Sequence, residues 1–297
     1  MKYHGLLRKV VSLQRSKRLI PKGSRVLVAF SGGVDSVALS LALLELRDFL
    51  KLERLALAHV NHCIRGEEAD RDESFCRDFA RNKRLEIFVE RLNLNPESSN
   101  LEARARELRY EALEKIREKE GFDLIATAHH LKDLVETVLL WLVRGSGREG
   151  LLGFGEKEGR VVRPLYLVKR EEIEDFVRSR GEVWVEDSTN YDLSIPRNLI
   201  RHRVIPELKK INPRLEDSFL RLIDILREEE NLLRAMTQKA TEEVRSEKGI
   251  DRRAFMRLPK AIQRRVLYSL YGLRSLKDIE DTIRSIKKGS YLKSLSA

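Results

Sequence analysis

Short apolar stretches alternate with longer amphipathic stretches through the first two-thirds of the chain, and this alternation constrains the fold most. The apolar stretches predict strands at 25–30, 55–60, 85–89, 124–128 and 161–165. The stretches between them predict helices at 34–50, 67–82, 99–118, 131–143 and 169–179. Repeated β-α units of this size are typical of a doubly wound, mostly parallel sheet. Ligands bind such sheets at the carboxyl ends of the strands.

The pattern changes twice further along the chain. Six of the 16 glycines lie between Gly145 and Gly159, which predicts a long, mobile loop with the role of a lid. After residue 213 the pattern is helical and shows no strand alternation. We therefore predict a catalytic domain over residues 1–213 and a small helical C-terminal domain over residues 214–297.

Charge and cysteine content narrow the classes of function. The net charge of +11, from 58 Lys and Arg against 47 Asp and Glu, favours a polyanionic partner. Residues 249–297 carry 12 Lys and Arg against 4 Asp and Glu, which suggests an RNA-binding tail. Two cysteines, Cys63 and Cys76, exclude a disulfide scaffold and fit a reducing cytoplasm. The sequence lacks a membrane-length apolar run, so we expect a cytoplasmic protein with no membrane partner. Oligomeric state is left open, with a homodimer as one alternative.

The string Ser31-Gly32-Gly33-Val34-Asp35-Ser36 follows the first predicted strand and opens the first long helix. Glycines let the backbone approach a ligand closely, and helix N–H groups with serine hydroxyls form a cradle for an anion. Asp35 would repel a phosphate unless a cation lay between them, so the string implies Mg²⁺. A tight strand-to-helix turn is the plain structural alternative.

This string resembles the pyrophosphate-binding loop of the N-type ATP pyrophosphatase superfamily. It lacks the Gly-Lys-Ser/Thr ending of a Walker loop. The resemblance implies that ATP is cleaved between its α and β phosphates to adenylate a substrate.

Further motifs follow in order along the chain, and most of them end predicted strands or begin predicted helices. They are His59-Val60-Asn61-His62-Cys63-Ile64-Arg65, Arg106 with Arg109, Thr127-Ala128-His129-His130 with Asp133 and Glu136, Arg144-Gly145-Ser146-Gly147, Glu186-Asp187-Ser188-Thr189-Asn190, and Arg197-Asn198-Leu199-Ile200-Arg201. Together, over roughly residues 19–205, they resemble the tRNA(Ile)-lysidine synthetase family.

The resemblance implies a two-step reaction. ATP adenylates the oxygen on carbon two of the wobble cytidine of a minor isoleucine tRNA with a CAU anticodon. The ε-amine of free L-lysine then displaces AMP, giving lysidine. Such a reaction needs a base to deprotonate lysine.

The resemblance also implies roles for the motif residues. Asp35, Asp133, Glu136 and His130 are expected to be catalytic, with Asp35 and Asp133 on Mg²⁺. Asp133 and Glu136 are candidates for Mg²⁺, the adenylate or the lysine ammonium, and these roles stay open. The residues expected to bind ATP are Ala29, Ser31, Gly32, Gly33, Val34, Asp35, Ser36, His59 and His129. The residues expected to bind RNA or substrate are His62, Arg65, Arg106, Arg109, Arg144, Arg197, Asn198 and Arg201.

Three alternatives stay open at this point. His129 and His130 with Asp133 and Glu136 would be a zinc site if enough ligands converged. A tRNA thiolase of the same superfamily generally uses paired cysteines or an Fe–S cluster, whereas Cys63 and Cys76 are 13 residues apart. A non-catalytic RNA-binding module would not need the acidic residues that the motifs retain.

Overall fold

The chain divides into two compact units, residues 1–220 and 221–297. The structure is a computed structural model, and it describes residues 4–63, 66–92, 101–186, 188–246, 249–273 and 275–288. The predicted domain boundary at residue 213 lies just before a long helix, whereas the division between the units falls inside that helix.

The first unit contains a six-stranded sheet in the order β3-β2-β1-β4-β6-β5. All neighbouring strands are parallel except β5 and β6, which form an antiparallel edge. This confirms the predicted doubly wound, mostly parallel sheet. The strands are β1 (Arg25–Ala29), β2 (Arg54–Asn61), β3 (Glu86–Arg91), β4 (Leu124–Ala126), β5 (Lys157–Glu158) and β6 (Val161–Val162).

Helices cover both faces of this sheet, as connections between parallel strands require. One face packs Leu27, Ala56 and Ile125 against Leu113 and Ile116 of α5. The helices that begin in this unit are α1 (Gly5–Lys17), α2 (Val34–Glu45), α3 (Arg47–Leu50), α4 (Glu67–Lys83), α5 (Leu101–Lys119), α6 (Leu131–Val143), α7 (Arg148–Leu151), α8 (Arg170–Ser179), α9 (Pro196–Leu199), α10 (Ile205–Ile211) and α11 (Leu215–Val244). A 3₁₀ helix spans Ser188–Tyr191, and a π-helical turn spans Ile200–Val204.

Most predicted elements are present, with small differences at their ends. The helix predicted at 34–50 is interrupted at Leu46, whose side chain is fully buried where the chain turns between α2 and α3. The strand predicted at 124–128 already ends at Ala126. The predicted cap of α5, Ser99, lies outside the described residues.

The glycine-rich segment 145–159 is not the structureless loop that its composition predicts. It contains α7 and the edge strand β5. A Cβ on Gly150 would lie 2.8 Å from the Cβ of Trp141 and 2.4 Å from the Oγ of Ser146. Glycine therefore permits close packing of α7 against α6. The mobility of this segment stays a prediction.

The second unit is mainly helical, as predicted, but it also holds a short antiparallel hairpin of β7 (Arg245–Ser246) and β8 (Gly249–Ile250). Its core contains Val244, Phe255, Val266, Leu267 and Ile283. Its other helices are α12 (Arg252–Arg257), α13 (Lys260–Tyr271) and α14 (Leu276–Lys288). Across the described residues, no helix combines the length and apolar character that a bilayer-spanning segment requires.

Candidate active site

The loop between β1 and α2 has a conformation that requires glycine. Gly32 has a φ of +85°, which side-chain-bearing residues rarely adopt. A Cβ there would also lie 3.1 Å from Cδ1 of Phe75 and 3.3 Å from Sγ of Cys76, both on α4. Gly32 therefore lets the loop turn and lets α4 pack against it.

The start of α2 presents hydrogen-bond donors. Gly33 caps the helix through its backbone alone, so the N–H groups of the first turn have no side-chain acceptor at the cap. The hydroxyl of Ser36 donates to the Gly33 carbonyl at 2.8 Å, and the hydroxyl oxygen of Ser31 lies 3.3 Å from that of Ser36. Helix N-termini of this kind bind anions.

A cavity of about 830 Å³ opens at the carboxyl ends of β1, β2 and β4 and includes this loop. Its size suits a nucleotide-sized ligand. The predicted site residues that line it are Ala29, Ser31, Gly33, Val34, Asp35, Ser36, His59, His62, Arg109, His129, His130, Asp133, Glu136 and Arg201.

Two carboxylates of different elements meet at His130. Its Nε2 lies 3.5 Å from Oδ1 of Asp35 and 3.5 Å from Oδ2 of Asp133. The Nδ1 of His130 accepts the N–H of Lys132 at 3.2 Å, which assigns the ring proton to Nε2 in the neutral form. His130 therefore bridges the phosphate loop and the start of α6.

Asp133 is fixed as part of the cap of α6. Its Oδ2 accepts the backbone N–H of His130 at 3.0 Å, completing a capping box. Burial by itself would raise the pKa of Asp133, but His130, His129 and Arg197 outweigh it and hold the pKa below its usual range. Asp133 is therefore a carboxylate across the physiological pH range.

Glu136 is fully buried and bound by arginines. Arg201 donates to both of its oxygens, through Nε at 2.6 Å and Nη2 at 2.8 Å, and this pairing raises the pKa of Arg201. Arg197 places Nε 3.3 Å from Oε2 of Glu136 and donates through Nη2 to Thr137 at 2.6 Å. The predicted motifs on α6 and at 197–201 thus form one charge cluster.

The comparisons with known proteins agree with this geometry. A family model described as a PP-loop domain matches residues 5–208. The tRNA(Ile)-lysidine synthase of Petrotoga mobilis is 36% identical over 223 residues, which cover 74% of this chain and 71% of that protein. The chain belongs to the tRNA(Ile)-lysidine synthase family of PP-loop proteins.

Other members of the family are longer than this chain. The relative from Persephonella marina is 40% identical over 79% of this chain and 52% of its own length. The relative from Pseudothermotoga lettingae is 42% identical over 71% of this chain and 47% of its own length. The chain thus spans about half the length of these relatives.

A more distant solved structure has the same fold. It is a U34-tRNA thiolase from Methanococcus maripaludis with its [4Fe-4S] cluster. The two proteins superpose with a TM-score of 0.63, over 75% of this chain and 78% of the other, at 19% identity. At this identity the likeness concerns the fold alone.

Two histidines expected to bind ATP, the buried His59 and the half-buried His129, are uncharged at neutral pH. Burial lowers the pKa of His129 to about 3, and its Nδ1 lies 2.9 Å from the Thr127 hydroxyl. Burial also lowers the pKa of His59, whose Nδ1 lies 3.0 Å from the Phe30 carbonyl. In this PP-loop site they can therefore offer hydrogen bonds to a nucleotide but no positive charge.

Several predicted residues lie outside the lining of the cavity. Gly32 packs against α4, and Arg65 is not among the described residues. Arg106 is exposed, and its Cζ lies 5.1 Å from the Tyr110 ring centroid. Arg144 is also exposed, with its Cζ 5.9 Å from the ring centroid of Trp141. Arg197 does not line the cavity either, but it contacts Glu136, which does.

Asn198 is a buried positioning residue for a loop at the cavity. Its side-chain amide donates to the carbonyls of Thr189 at 2.8 Å and Asp192 at 3.0 Å. It thereby fixes the 3₁₀ helix that forms part of the cavity wall.

Arg170 belongs to the site although no sequence motif indicates it. Its Nη1 donates to both oxygens of Asp35 at 2.8 Å, and its Nε donates to Glu174 at 2.8 Å. Arg170 begins α8 in a string of alternating charges, which is typical of a solvated helix face. Only the tertiary fold, which packs α8 beside α2, shows that this guanidinium belongs to the site.

The side chains at this point of the cavity can be compared with the ligands that Mg²⁺ and zinc prefer. Mg²⁺ is usually held by one or two carboxylates together with substrate phosphates and water, and Asp35 with Asp133 supplies two carboxylates at one point of the cavity. These residues therefore fit Mg²⁺. Within the described part of the chain, no group of three or more His, Cys, Asp and Glu side chains is arranged to hold a metal by itself. The zinc alternative, which needs three or four protein ligands, is not supported.

Proposed function

We propose that this chain joins free L-lysine to carbon two of the wobble cytidine in an isoleucine tRNA with a CAU anticodon, using ATP. One observation carries the proposal. The phosphate loop, the Asp35–His130–Asp133 bridge and the Glu136–Arg201 pair share one cavity, in a chain whose relatives at 36–42% identity are named tRNA(Ile)-lysidine synthase.

In the first step, the cytosine O2 attacks the α-phosphorus of ATP, and the bond to pyrophosphate breaks. The first-turn N–H groups of α2 donate to the phosphate oxygens, and the hydroxyls of Ser31 and Ser36 join them by rotating away from their present partners. Arg170 stabilises the leaving pyrophosphate once its hold on Asp35 is exchanged. Asp35 and Asp133 would hold Mg²⁺, which would supply positive charge to offset the repulsion between carboxylates and phosphates.

In the second step, the lysine ε-amine attacks carbon two, and the bond to the AMP oxygen breaks. The ammonium form of lysine is attracted by the carboxylates of Asp133 and Glu136. Both oxygens of Glu136 already accept from Arg201, and the lowered pKa of Asp133 makes it a weak base. We therefore assign both carboxylates to holding the lysine, whose ammonium proton leaves to solvent before the amine attacks. Exclusion of water from the cavity would limit hydrolysis of the adenylate.

Sulfur transfer, the rival function, finds little support in the cysteines. Cys76 is fully buried beside Gly32, and burial raises the pKa of its thiol. Cys63 is exposed. A buried thiol of raised pKa is a poor nucleophile and a poor cluster ligand.

The second unit is proposed to supply RNA affinity. Two of its arginines, Arg264 and Arg265, are half-buried and pair with Glu280 and Glu230. Exposed cations of this unit, such as Arg253, Arg257 and Lys260, are better candidates for phosphate contacts. Each contact to a single strand adds about 0.7 to the slope of log affinity against log salt.

The direct test incubates the full chain with ATP, labelled lysine and a CAU-anticodon tRNA. We expect label in the RNA, dependent on ATP. A matched RNA with uridine in place of the wobble cytidine should take up no label. Equal labelling of both RNAs, or none of either by a protein that binds ATP, would contradict the proposal.

A further inference from the structure

An exposed aromatic ring stands at the rim of the cavity. Tyr191 ends the 3₁₀ helix Ser188–Tyr191, is 67% exposed and lines the cavity. Its ring stacks on His202, with the ring centroids 5.7 Å apart and the ring planes 27° apart. His202 lies in the π-helical turn and lines the same cavity.

The backbone around Tyr191 is held firmly although its ring is exposed. On either side of it, Asn198 donates to the carbonyls of Thr189 and Asp192. His202 Nε2 donates to the carbonyl of Asn190 at 2.9 Å. The buried Asn198 therefore fixes the segment from below while His202 supports the ring. An exposed aromatic side chain that is already held in place loses little conformational entropy when a ligand stacks on it.

The surroundings of this pair favour RNA over a small nucleotide. The turn that carries His202 also carries the exposed Arg203 beside the half-buried Arg201, so cationic groups lie next to the aromatic pair. Such a combination of aromatic rings with neighbouring cations is how proteins bind single-stranded RNA. Target bases must also leave their stack to enter a cavity, and a neighbouring base then loses its stacking partner.

We propose that Tyr191, supported by His202, is a stacking platform for a base of the RNA loop beside the reacting cytidine. This inference rests on the proposed function, because it requires RNA at the cavity. The platform compensates for stacking that is lost inside the RNA, and it contributes to binding rather than to either chemical step.

The test measures binding of a labelled CAU anticodon stem-loop to the full chain and to three variants. Tyr191→Ala should raise the RNA dissociation constant about 5- to 150-fold, the range of base–aromatic stacking. Tyr191→Phe should bind like the parent, and Tyr191→Leu should bind nearly as weakly as the alanine variant, because it lacks a π face. Val183→Ala, at another strongly exposed apolar residue, is the control and should change nothing.

The dissociation constant for ATP, measured on the same proteins, separates the two sources of a nucleobase. We expect it to stay unchanged in all variants. If Tyr191→Ala weakened ATP binding more than RNA binding, the ring would be assigned to the adenine and the proposal would be overturned. Equal RNA binding by the parent, alanine and leucine proteins would overturn it as well.

Failure of the proposed function would look different. A parent protein that binds the stem-loop but incorporates no lysine would contradict the reaction, while the Tyr191 variants would still report on stacking. A parent protein that binds no RNA would contradict both.

Discussion

The phosphate loop and the acidic cluster of α6 lie in one cavity but are built in opposite ways. The loop consists of six consecutive residues, and its donors are mainly backbone N–H groups and two hydroxyls. The acidic cluster instead holds the buried carboxylate of Glu136, whose partners Arg197 and Arg201 come from a segment more than 60 residues further along the chain.

This difference predicts that substitutions in the two regions have different effects on ligand binding and on stability. A loop built from local backbone geometry binds its ligand poorly when one residue changes, but the rest of the sheet is little affected. A cluster of buried charges depends on complete pairing, because a buried charge without its partner is strongly unfavourable. The cluster should therefore contribute to folding as well as to chemistry.

The largest effect on stability is expected for Arg201→Ala. The variant removes the guanidinium that binds both oxygens of the fully buried Glu136, so the free energy of unfolding should fall by about 3–5 kcal/mol. Arg144→Ala, which removes an exposed arginine after the same helix, should change it by less than about 0.5 kcal/mol. Urea denaturation measures both, and similar values for the two would mean that the cluster is not an essential ion pair.

Asp35→Asn tests the loop by its chemistry. Pyrophosphate release should fall about 10²- to 10³-fold, because a charged partner of the phosphates and Mg²⁺ is lost. The free energy of unfolding should stay nearly unchanged, since Asp35 is partly exposed and asparagine has the same size. Asp48→Asn, at an exposed position of α3, is the matched control. Parent-like pyrophosphate release by Asp35→Asn would remove Asp35 from the site.

Gly32→Ala should show that the loop also has a structural constraint. The positive φ and the contacts with Phe75 and Cys76 should together destabilise the protein by about 1–3 kcal/mol. Gly159 has a φ of +56° with open space around its Cβ position, so Gly159→Ala measures the backbone strain alone. If both variants lost the same stability, packing against α4 would contribute nothing.

The most gradual effect concerns pH. Burial lowers the pKa of His129 to about 3, below its value of about 6.5 in an unfolded chain. The native state thus favours the neutral ring, so this stability is fully present above pH 6.5 and is lost as the pH falls toward 3. The limiting slope is about 1.4 kcal/mol per pH unit.

His129→Gln isolates this contribution from that of His59, whose pKa is also lowered by burial. Between pH 6.5 and 5, the variant should lose stability less steeply than the parent. This window lies above the range where Glu73, with a pKa lowered to about 2, begins to matter. An unchanged slope would show that His129 becomes charged without cost.

The contrast between the two regions also explains what the sequence could predict. The loop is contiguous, and its strand, glycines and helix start are local signals, so its position and the prediction that it binds an anion follow from the string Ser31–Ser36. The β-α alternation likewise predicted the sheet, because strand burial and helix periodicity are local properties.

The ion pairs of the site and the structure of residues 145–159 could be recognised only from the fold. Asp133 and Glu136 were recognised as an acidic pair on one helix face, but nothing local indicates that Arg201 would bind Glu136 through both oxygens. Arg170 looks like surface charge until α8 packs beside α2. Residues 145–159 contain α7 and β5 because Gly150 and Gly153 allow close packing, which glycine content alone cannot distinguish from a flexible loop.

We propose that this cavity transfers AMP to RNA before lysine displaces it. The most direct measurement mixes the full chain with CAU-anticodon tRNA and ATP labelled at the α-phosphate, in the absence of lysine. We predict that label becomes attached to the RNA with release of pyrophosphate, and that added lysine frees it as AMP. Label recovered as ADP, or RNA that stays unlabelled while ATP is consumed, would contradict the account.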